Sequence, residues 1–122
     1  MLPQKNRLKK EKDFDEVFEK GKGFNSSLLF LKAKRNNLKV KRFGFVVSQK
    51  VSKKAIVRNR VKRFLREAIK ERLKEIKSGV DIVLVTKPGI EKEDSLKIKK
   101  TVFILLEKTK LLNDQKNNIK NN

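Results

Sequence analysis

The chain has 122 residues, with 34 lysine and arginine residues against 14 aspartate and glutamate residues, a formal net charge of +20. This length predicts one domain with a moderate core, and the charge favours a polyanionic partner without specifying a fold. The absence of cysteine and histidine excludes disulfides, zinc fingers and the commonest general base. No apolar run could span a membrane and no secretory signal begins the chain, so we expect a cytoplasmic protein that binds nucleic acid and not a membrane.

The N-terminal twenty residues divide into two parts. Residues 1–10 are basic and are predicted to form an extended arm, because Pro3 opposes an early helix. A short helix follows, in which Phe14, Val17 and Phe18 share one face. The four-residue spacing of the two phenylalanines by itself favours a role in the core over a platform for a ligand.

Two strands are predicted next, at residues 25–35 and 42–49. Bulky and small side chains alternate along the second. The bulky side, expected to face the core helices, consists of Phe43, Phe45 and Val47, and the small side of Gly44, Val46 and Ser48. The small side either leaves room for a ligand close to the sheet or is a bulge or a loosely packed outer face.

A helix over residues 53–77 contains the densest positive charge of the chain. Its first half carries an apolar stripe formed by Val57, Val61, Phe64, Leu65 and Ala68. At about 100° per residue, a second set of side chains falls opposite this stripe or at its borders. We call this set the basic face: Arg58, Asn59, Arg60, Lys62, Arg63 and Arg66.

The basic face is unusual because its charges are all of one sign. A row of cations at four-residue spacing contains no acid: Lys54, Arg58, Lys62, Arg66, Lys70 and Lys74. Like charges at this spacing destabilise a helix mildly, whereas an ordinary solvated face mixes signs. A polyanion would relieve the repulsion. The pattern therefore favours RNA or DNA binding over a merely solvated face.

The rest of the chain completes a single domain. Residues 80–85 form an almost continuous apolar run, typical of a strand covered on both faces. Residues 93–112 are predicted to be a last helix, and the polar segment 114–122 a disordered tail outside the 1–113 domain. The order of helix, strands, helix, strand and helix predicts an α/β fold of the α+β sandwich type.

The sequence offers no catalytic constellation. It contains no P-loop, no G-x-G-x-x-G and no H-E-x-x-H motif. Asp81 opens the apolar strand, where capping of nearby amides is at least as good an explanation as chemistry. If the protein takes part in an enzyme, we expect another component to supply the chemistry.

The order of several motifs resembles one family. Arg58-Asn59-Arg60 is followed by Lys62-Arg63 and then Arg66, with RFGFVVSQK before this set and DIVLVTKPG after it. This arrangement resembles the protein subunit of bacterial ribonuclease P across roughly residues 5–112. The resemblance implies a left-handed crossover around the basic helix, against the generic right-handed rule.

The resemblance also implies a function. A catalytic RNA that uses Mg²⁺ would cut 5′ leaders from precursor tRNA, while the protein assists it, binds no cofactor itself and has the RNA and the leader as partners. The implied contacts with the RNA subunit are Lys53, Lys54, Arg58, Asn59, Arg60, Lys62, Arg63 and Arg66. The implied leader-binding cleft contains Phe14, Phe18, Leu29, Leu31, Gly44, Val46, Ser48 and Lys50, in which unstacked bases could rest on the rings.

One position departs from the family pattern. Leu31 is predicted to face the cleft where relatives commonly carry an aromatic residue, with Leu29 beside it and Phe30 turned toward the core. A leucine can neither stack like a tyrosine nor donate a hydroxyl. The sequence thus predicts a weaker or differently selective hold on one leader nucleotide.

Three other classes of protein fit parts of the sequence. A ribosomal or other structural RNA-binding protein would share its size and charge. A protein nuclease acting alone is disfavoured by the lack of histidine and of a carboxylate cluster. A DNA-binding helix-turn-helix is disfavoured because strands surround the basic helix, and no DNA partner is expected.

Overall fold

A computed structural model describes residues 2–113, and the predicted tail at 114–122 lies outside these residues. The elements are α1 (Glu11–Lys20), β1 (Lys22–Asn25), β2 (Leu29–Arg35), β3 (Arg42–Val46), α2 (Ala55–Arg72), β4 (Val80–Thr86) and α3 (Ser95–Thr109), with 3-10 turns at Gln4–Asn6, Leu73–Glu75 and Ile90–Lys92. The predicted mixed fold is confirmed. The strand predicted at 25–35 corresponds to β2, which begins at Leu29, and β1 before it was not predicted and pairs with β2 as a hairpin.

The four strands form one sheet in the order β1-β2-β4-β3. β2 runs antiparallel to β1 and β4, whereas β3 and β4 are parallel neighbours. α2 makes the crossover between the two parallel strands, as parallel pairing requires. The left-handed sense of this crossover stays a prediction from the resemblance.

Apolar side chains cover both faces of the sheet. On one face α2 and α3 enclose the main core, which includes Leu84, Leu65 and Leu105. On the other face α1 covers a smaller cluster centred on Val17 and Val83. β4 contributes to both clusters, which confirms the prediction of a strand buried on both sides.

The two faces of β2 are the reverse of those predicted. Leu29 and Leu31 are fully buried in the main core, so the prediction that they face a cleft is wrong. Leu31 pairs with Leu84, and both side chains point toward α2 and α3. Phe30 lies on the opposite side of the strand, the side covered by α1. Alternation identifies which residues share a face, but the register decides which face that is.

The N-terminal segment also differs from its prediction as an extended arm. Leu2, Asn6 and Leu8 are buried. The Leu8 amide donates to the carbonyl oxygen of Phe43 at 2.9 Å, and Arg7 forms a parallel bridge with Phe43. The segment therefore covers part of the β3 edge, which would otherwise present unpaired backbone groups.

Arg42 connects α1 to the sheet. Its Nε and Nη2 atoms donate to the Asp81 carboxylate at 2.8 and 2.7 Å, and Nη1 donates to Asp13 of α1 at 3.3 Å. The hydrogen bond to Asp81 raises the pKa of the Arg42 guanidinium above its ordinary value. Asn36 donates a further hydrogen bond to Asp81 at 2.8 Å. Asp81 is thus a buried structural acid whose partners explain its position.

Candidate nucleic-acid interface

α2 presents the predicted basic face opposite a buried stripe. Its buried residues are Val61, Leu65, Ala68 and Ile69, while Asn59, Arg60 and Arg63 are exposed and Arg58, Lys62 and Arg66 are partly buried. The helix begins at Ala55, two residues later than predicted. Lys53 and Lys54 therefore belong to the preceding loop, where both are exposed.

The arginines of the basic face contact backbone and aromatic groups. Arg58 donates to the carbonyl oxygen of Ser52 at 2.9 Å, and Arg60 to that of Glu91 at 2.9 Å. The Arg63 guanidinium lies 5.4 Å from the centroid of the Phe64 ring. Within residues 2–113, no side chain of the basic face forms an ion pair with a carboxylate. Its positive charge is consequently available to a partner.

A concave pocket of about 250 Å³ joins the N-terminal segment, α1, β3 and α2; we call it the first pocket. Its lining residues are Leu2, Arg7, Leu8, Lys9, Phe14, Phe43, Gly44, Phe45, Lys62 and Arg66. Four of them are cations, and none is acidic. The pocket therefore brings two residues of the predicted cleft, Phe14 and Gly44, together with two residues of the basic face.

Gly44 does not leave open space for a ligand in the way that its small size suggested. A Cβ atom at this position would lie 2.4 and 2.5 Å from Cε1 and Cζ of the Phe14 ring. The room left by the glycine is occupied by that ring, and Gly44 itself is buried. Phe14 remains partly exposed and lines the first pocket. Its ring, rather than the glycine backbone, is the surface available to a ligand.

The other predicted cleft residues are more dispersed. Phe18 is 37% exposed on α1, and Val46 is partly buried beneath the same helix. Ser48 and Lys50 are exposed in the loop after β3, where the Lys50 amide donates to the Ser48 hydroxyl at 3.2 Å. None of these four residues lines the first pocket. With Leu29 and Leu31 buried, the predicted set is only partly assembled.

Several residues that lie in or near the site were not predicted from the sequence. Arg7 and Lys9 line the first pocket because their segment packs along β3. Phe30 and Lys32 lie on the α1 side of β2, and the Lys32 ammonium donates to the carbonyl oxygen of Phe18. The basic composition of residues 1–10 was a signal for the first pair. The position of Phe30 and Lys32 could have been predicted only from the strand register.

This arrangement suits binding rather than chemistry. Cations that surround an apolar and aromatic surface can hold phosphates and stack bases. Within residues 2–113 no three carboxylates come together in a group that could hold a metal ion. In the same part of the chain, no helix has the length and apolar character needed to cross a bilayer. The fold and site define a small basic protein that binds nucleic acid.

Comparison with known proteins identifies the family. The family model described as Ribonuclease P matches residues 2–110. The ribonuclease P protein component of Alkaliphilus metalliredigens is 35% identical over 111 residues, covering 91% of this chain and 99% of the relative. That of Pseudanabaena is 37% identical over 113 residues, covering 92% and 97%.

Solved structures agree with this match. The Staphylococcus aureus ribonuclease P protein has a TM-score of 0.82 and 27% identity, covering 88% of this chain and 98% of that protein. The Thermotoga maritima protein has a TM-score of 0.76 and 27% identity, covering 84% and 96%. The chain belongs to the ribonuclease P protein component family. It is therefore part of an endoribonuclease that processes the 5′ ends of tRNA, in which the RNA subunit carries the catalysis.

Proposed function

We propose that the part of the basic face outside the first pocket, Arg58, Asn59, Arg60 and Arg63, binds the catalytic RNA. The first pocket, which Lys62 and Arg66 line, binds the 5′ leader of precursor tRNA. The protein would thereby help the RNA subunit to prefer precursors over mature tRNA. The observation that carries this proposal is the first pocket, where the Phe14 ring meets the cations Lys62 and Arg66 in one concavity.

The basic face supports RNA binding through its exposed guanidinium groups. Arg60 and Arg63 are exposed, and an arginine can donate two parallel hydrogen bonds to a phosphate. Phosphate contacts of this kind release counterions and dominate affinity for nucleic acid. Lys53 and Lys54, in the loop before α2, extend the same surface beyond the N-terminal end of the helix.

The first pocket supports binding of an unpaired strand. Stacking of a base on an aromatic ring contributes about 1–3 kcal/mol without strong dependence on sequence, and the partly exposed Phe14 ring offers such a surface. Phe18 provides a second, exposed ring on the same helix. Arg7 and Lys9 join the proposed leader contacts. Leu29 and Leu31 do not, because neither side chain reaches the surface.

The proposed division of labour leaves metal chemistry to the RNA. We infer that the Mg²⁺ ions of the reaction are held by RNA phosphates and substrate, and that this protein binds no cofactor of its own. Residues 2–113 contain no cluster of three or more acidic side chains of the kind that holds a metal ion. We also infer a cytoplasmic location, supported by the bacterial relatives.

Reconstitution with the catalytic RNA at low Mg²⁺ tests the leader site. Affinities for precursor and mature tRNA are measured with the parent protein and with Lys62→Ala/Arg66→Ala. The parent should favour the precursor, and the variant should lose most of that preference. Lys97→Ala/Lys100→Ala removes the same charge from exposed positions of α3 and should retain it. Equal preference in all three proteins would refute leader binding in this pocket.

Arg63→Ala tests the proposed contact with the RNA subunit. The side chain is exposed, so its loss should leave the free energy of unfolding nearly unchanged. Affinity for the catalytic RNA, measured without tRNA, should fall measurably, by up to about tenfold, as expected for one phosphate contact. Lys100→Ala is the matched control. An affinity equal to that of the parent would exclude this arginine from the interface.

A further inference from the structure

A second basic pocket, of about 330 Å³, lies at the C-terminal end of α2. Lysines from three separate parts of the chain line it: Lys5 of the N-terminal segment, Lys39 and Lys41 before β3, and Lys74 after α2. The hydroxyl-bearing Ser78 also lines this second pocket, and among residues 2–113 no acidic residue does. The fold thus gathers four cations from three segments that are distant in sequence.

Lys41 differs from the other three lysines because its ammonium group is hydrogen-bonded to backbone carbonyl oxygens. Its ammonium donates to the carbonyl oxygens of Leu73 and, at 2.6 Å, Ile76. These bonds offset the negative end of the helix, which would otherwise repel an anion. Partial burial lowers the pKa of Lys41 below its ordinary value. Lys41 is therefore a structural lysine whose hydrogen bonds satisfy carbonyl oxygens at the base of the second pocket.

The remaining three lysines are exposed and available. Lys5, Lys39 and Lys74 are all solvent-exposed. Among residues 2–113, none of the three forms an ion pair with a carboxylate. An ammonium group acts as a point charge without the planar fork of arginine. Such a set suits backbone phosphates rather than recognition of particular bases.

The second pocket adjoins the first. The N-terminal segment separates them, since Lys5 and Asn6 line the second pocket while Arg7 and Lys9 line the first. Arg66 of α2 lines the first pocket, and Lys74 of the 3-10 turn that directly follows α2 lines the second. At 1.5 Å per residue these positions are about 12 Å apart along the helix. Three or four nucleotides at a stacked spacing of about 3.4 Å span that distance.

We propose that the second pocket binds backbone phosphates of the precursor leader, upstream of the nucleotides held in the first pocket. This inference rests on the proposed function of the first pocket. A strand leaving the first pocket across the N-terminal segment meets Lys5 and then Lys39 and Lys74. Because these contacts are made to phosphates, they add affinity for longer leaders without adding sequence preference.

A leader-length series with the reconstituted holoenzyme tests the proposal. Lys5→Gln/Lys39→Gln/Lys74→Gln is compared with Lys97→Gln/Lys100→Gln/Lys108→Gln, which removes equal charge from exposed positions of α3. With the parent and the control, affinity should increase as the leader lengthens past the first pocket. The second-pocket variant should lose this increase, about tenfold for three exposed contacts, and should bind short-leader precursors normally.

Two outcomes would overturn the proposal. An equal loss of affinity with short and long leaders would mean that the three lysines contact some other part of the RNA. No loss at any length would mean that the second pocket is unused. The Lys62→Ala/Arg66→Ala protein tests the first pocket separately. It should weaken the binding of short-leader precursors as well as long-leader ones. If it does not, the proposed function fails instead.

Crosslinking gives a readout that does not depend on affinity. The chain has no cysteine, so Lys74→Cys provides a unique attachment point for a short photoreactive group. We expect crosslinks to leader nucleotides upstream of those contacted from an Arg66→Cys protein. Crosslinks confined to the catalytic RNA would contradict the assignment of this surface to the leader.

Discussion

At the scale of single residues, the contact between Phe14 and Gly44 determines the shape of the first pocket. In Gly44→Ala the added methyl group would overlap the Phe14 ring, and overpacking of this kind costs about 1–3 kcal/mol. We expect that loss in urea unfolding, together with weaker binding of leader-bearing precursors, because the displaced ring no longer lines the pocket.

A double-mutant cycle separates this contact from a general effect of alanine in β3. In a Phe14→Ala background the ring is absent, so Gly44→Ala should cost little further stability. Additive losses would show that the ring does not restrict residue 44. In that case the glycine would be required by some other feature of the strand.

The burial of Leu31 leads to a prediction opposite to the one made from the sequence. Leu31→Tyr would force a larger side chain and a hydroxyl without a partner into the main core, which should lower the free energy of unfolding by about 2 kcal/mol or more. Leu38→Tyr, at a position that is 48% exposed, should change it by about 0.5 kcal/mol or less. A Leu31→Tyr protein as stable as the parent, with tighter leader binding, would restore the cleft-facing interpretation.

At the scale of elements, Arg42 decides how α1 is held against the sheet. Arg42→Ala removes the partner of the buried Asp81 and the link to Asp13, so the loss should reach about 3–5 kcal/mol, the range for breaking a buried ion pair. Urea unfolding measures this loss. Arg35→Ala, an exposed arginine at the end of β2, is the matched control and should be nearly neutral.

The same experiment in an Asp81→Asn background tests the physical cause. Without the buried negative charge, Arg42→Ala should be much less costly, since the carboxylate that remains, Asp13, is partly exposed. An undiminished loss would show that the guanidinium stabilises the junction through packing or through Asp13 and not through Asp81. Because Asp13 precedes Phe14 on α1, loosening this junction should also weaken leader binding in either background.

At the scale of the whole molecule, the net charge of +20 acts on binding and on folding in opposite directions. If six to ten phosphates are contacted, raising monovalent salt from 50 to 200 mM should weaken RNA affinity by about 10³-fold or more. The same change should leave stability equal or slightly increased, because salt screens repulsion among the lysines and arginines. Filter binding and urea unfolding across a salt series measure the two effects. An affinity independent of salt would contradict phosphate-dominated binding.

Much of the fold and part of the site follow from local patterns. The amphipathic spacing of α2 predicts both its buried stripe and its basic face, because helical geometry alone relates residues three and four apart. The apolar run of β4 likewise predicts burial on both sides. The ordered signature around Arg58-Asn59-Arg60 indicated the family, which the comparisons confirm.

The contacts that assemble the site depend on pairing between distant segments. The alternation of side chains along β2 does not show whether Leu31 or Phe30 faces the core. The pairing of Leu31 with Leu84 shows that Leu31 does. Composition likewise could not reveal that residues 2–8 pack along β3. The sequence by itself determined the positive charge, the amphipathic helix and the family, since these depend on residue identity and local spacing. Only the tertiary structure decided which cations share a pocket, because long-range packing places them there.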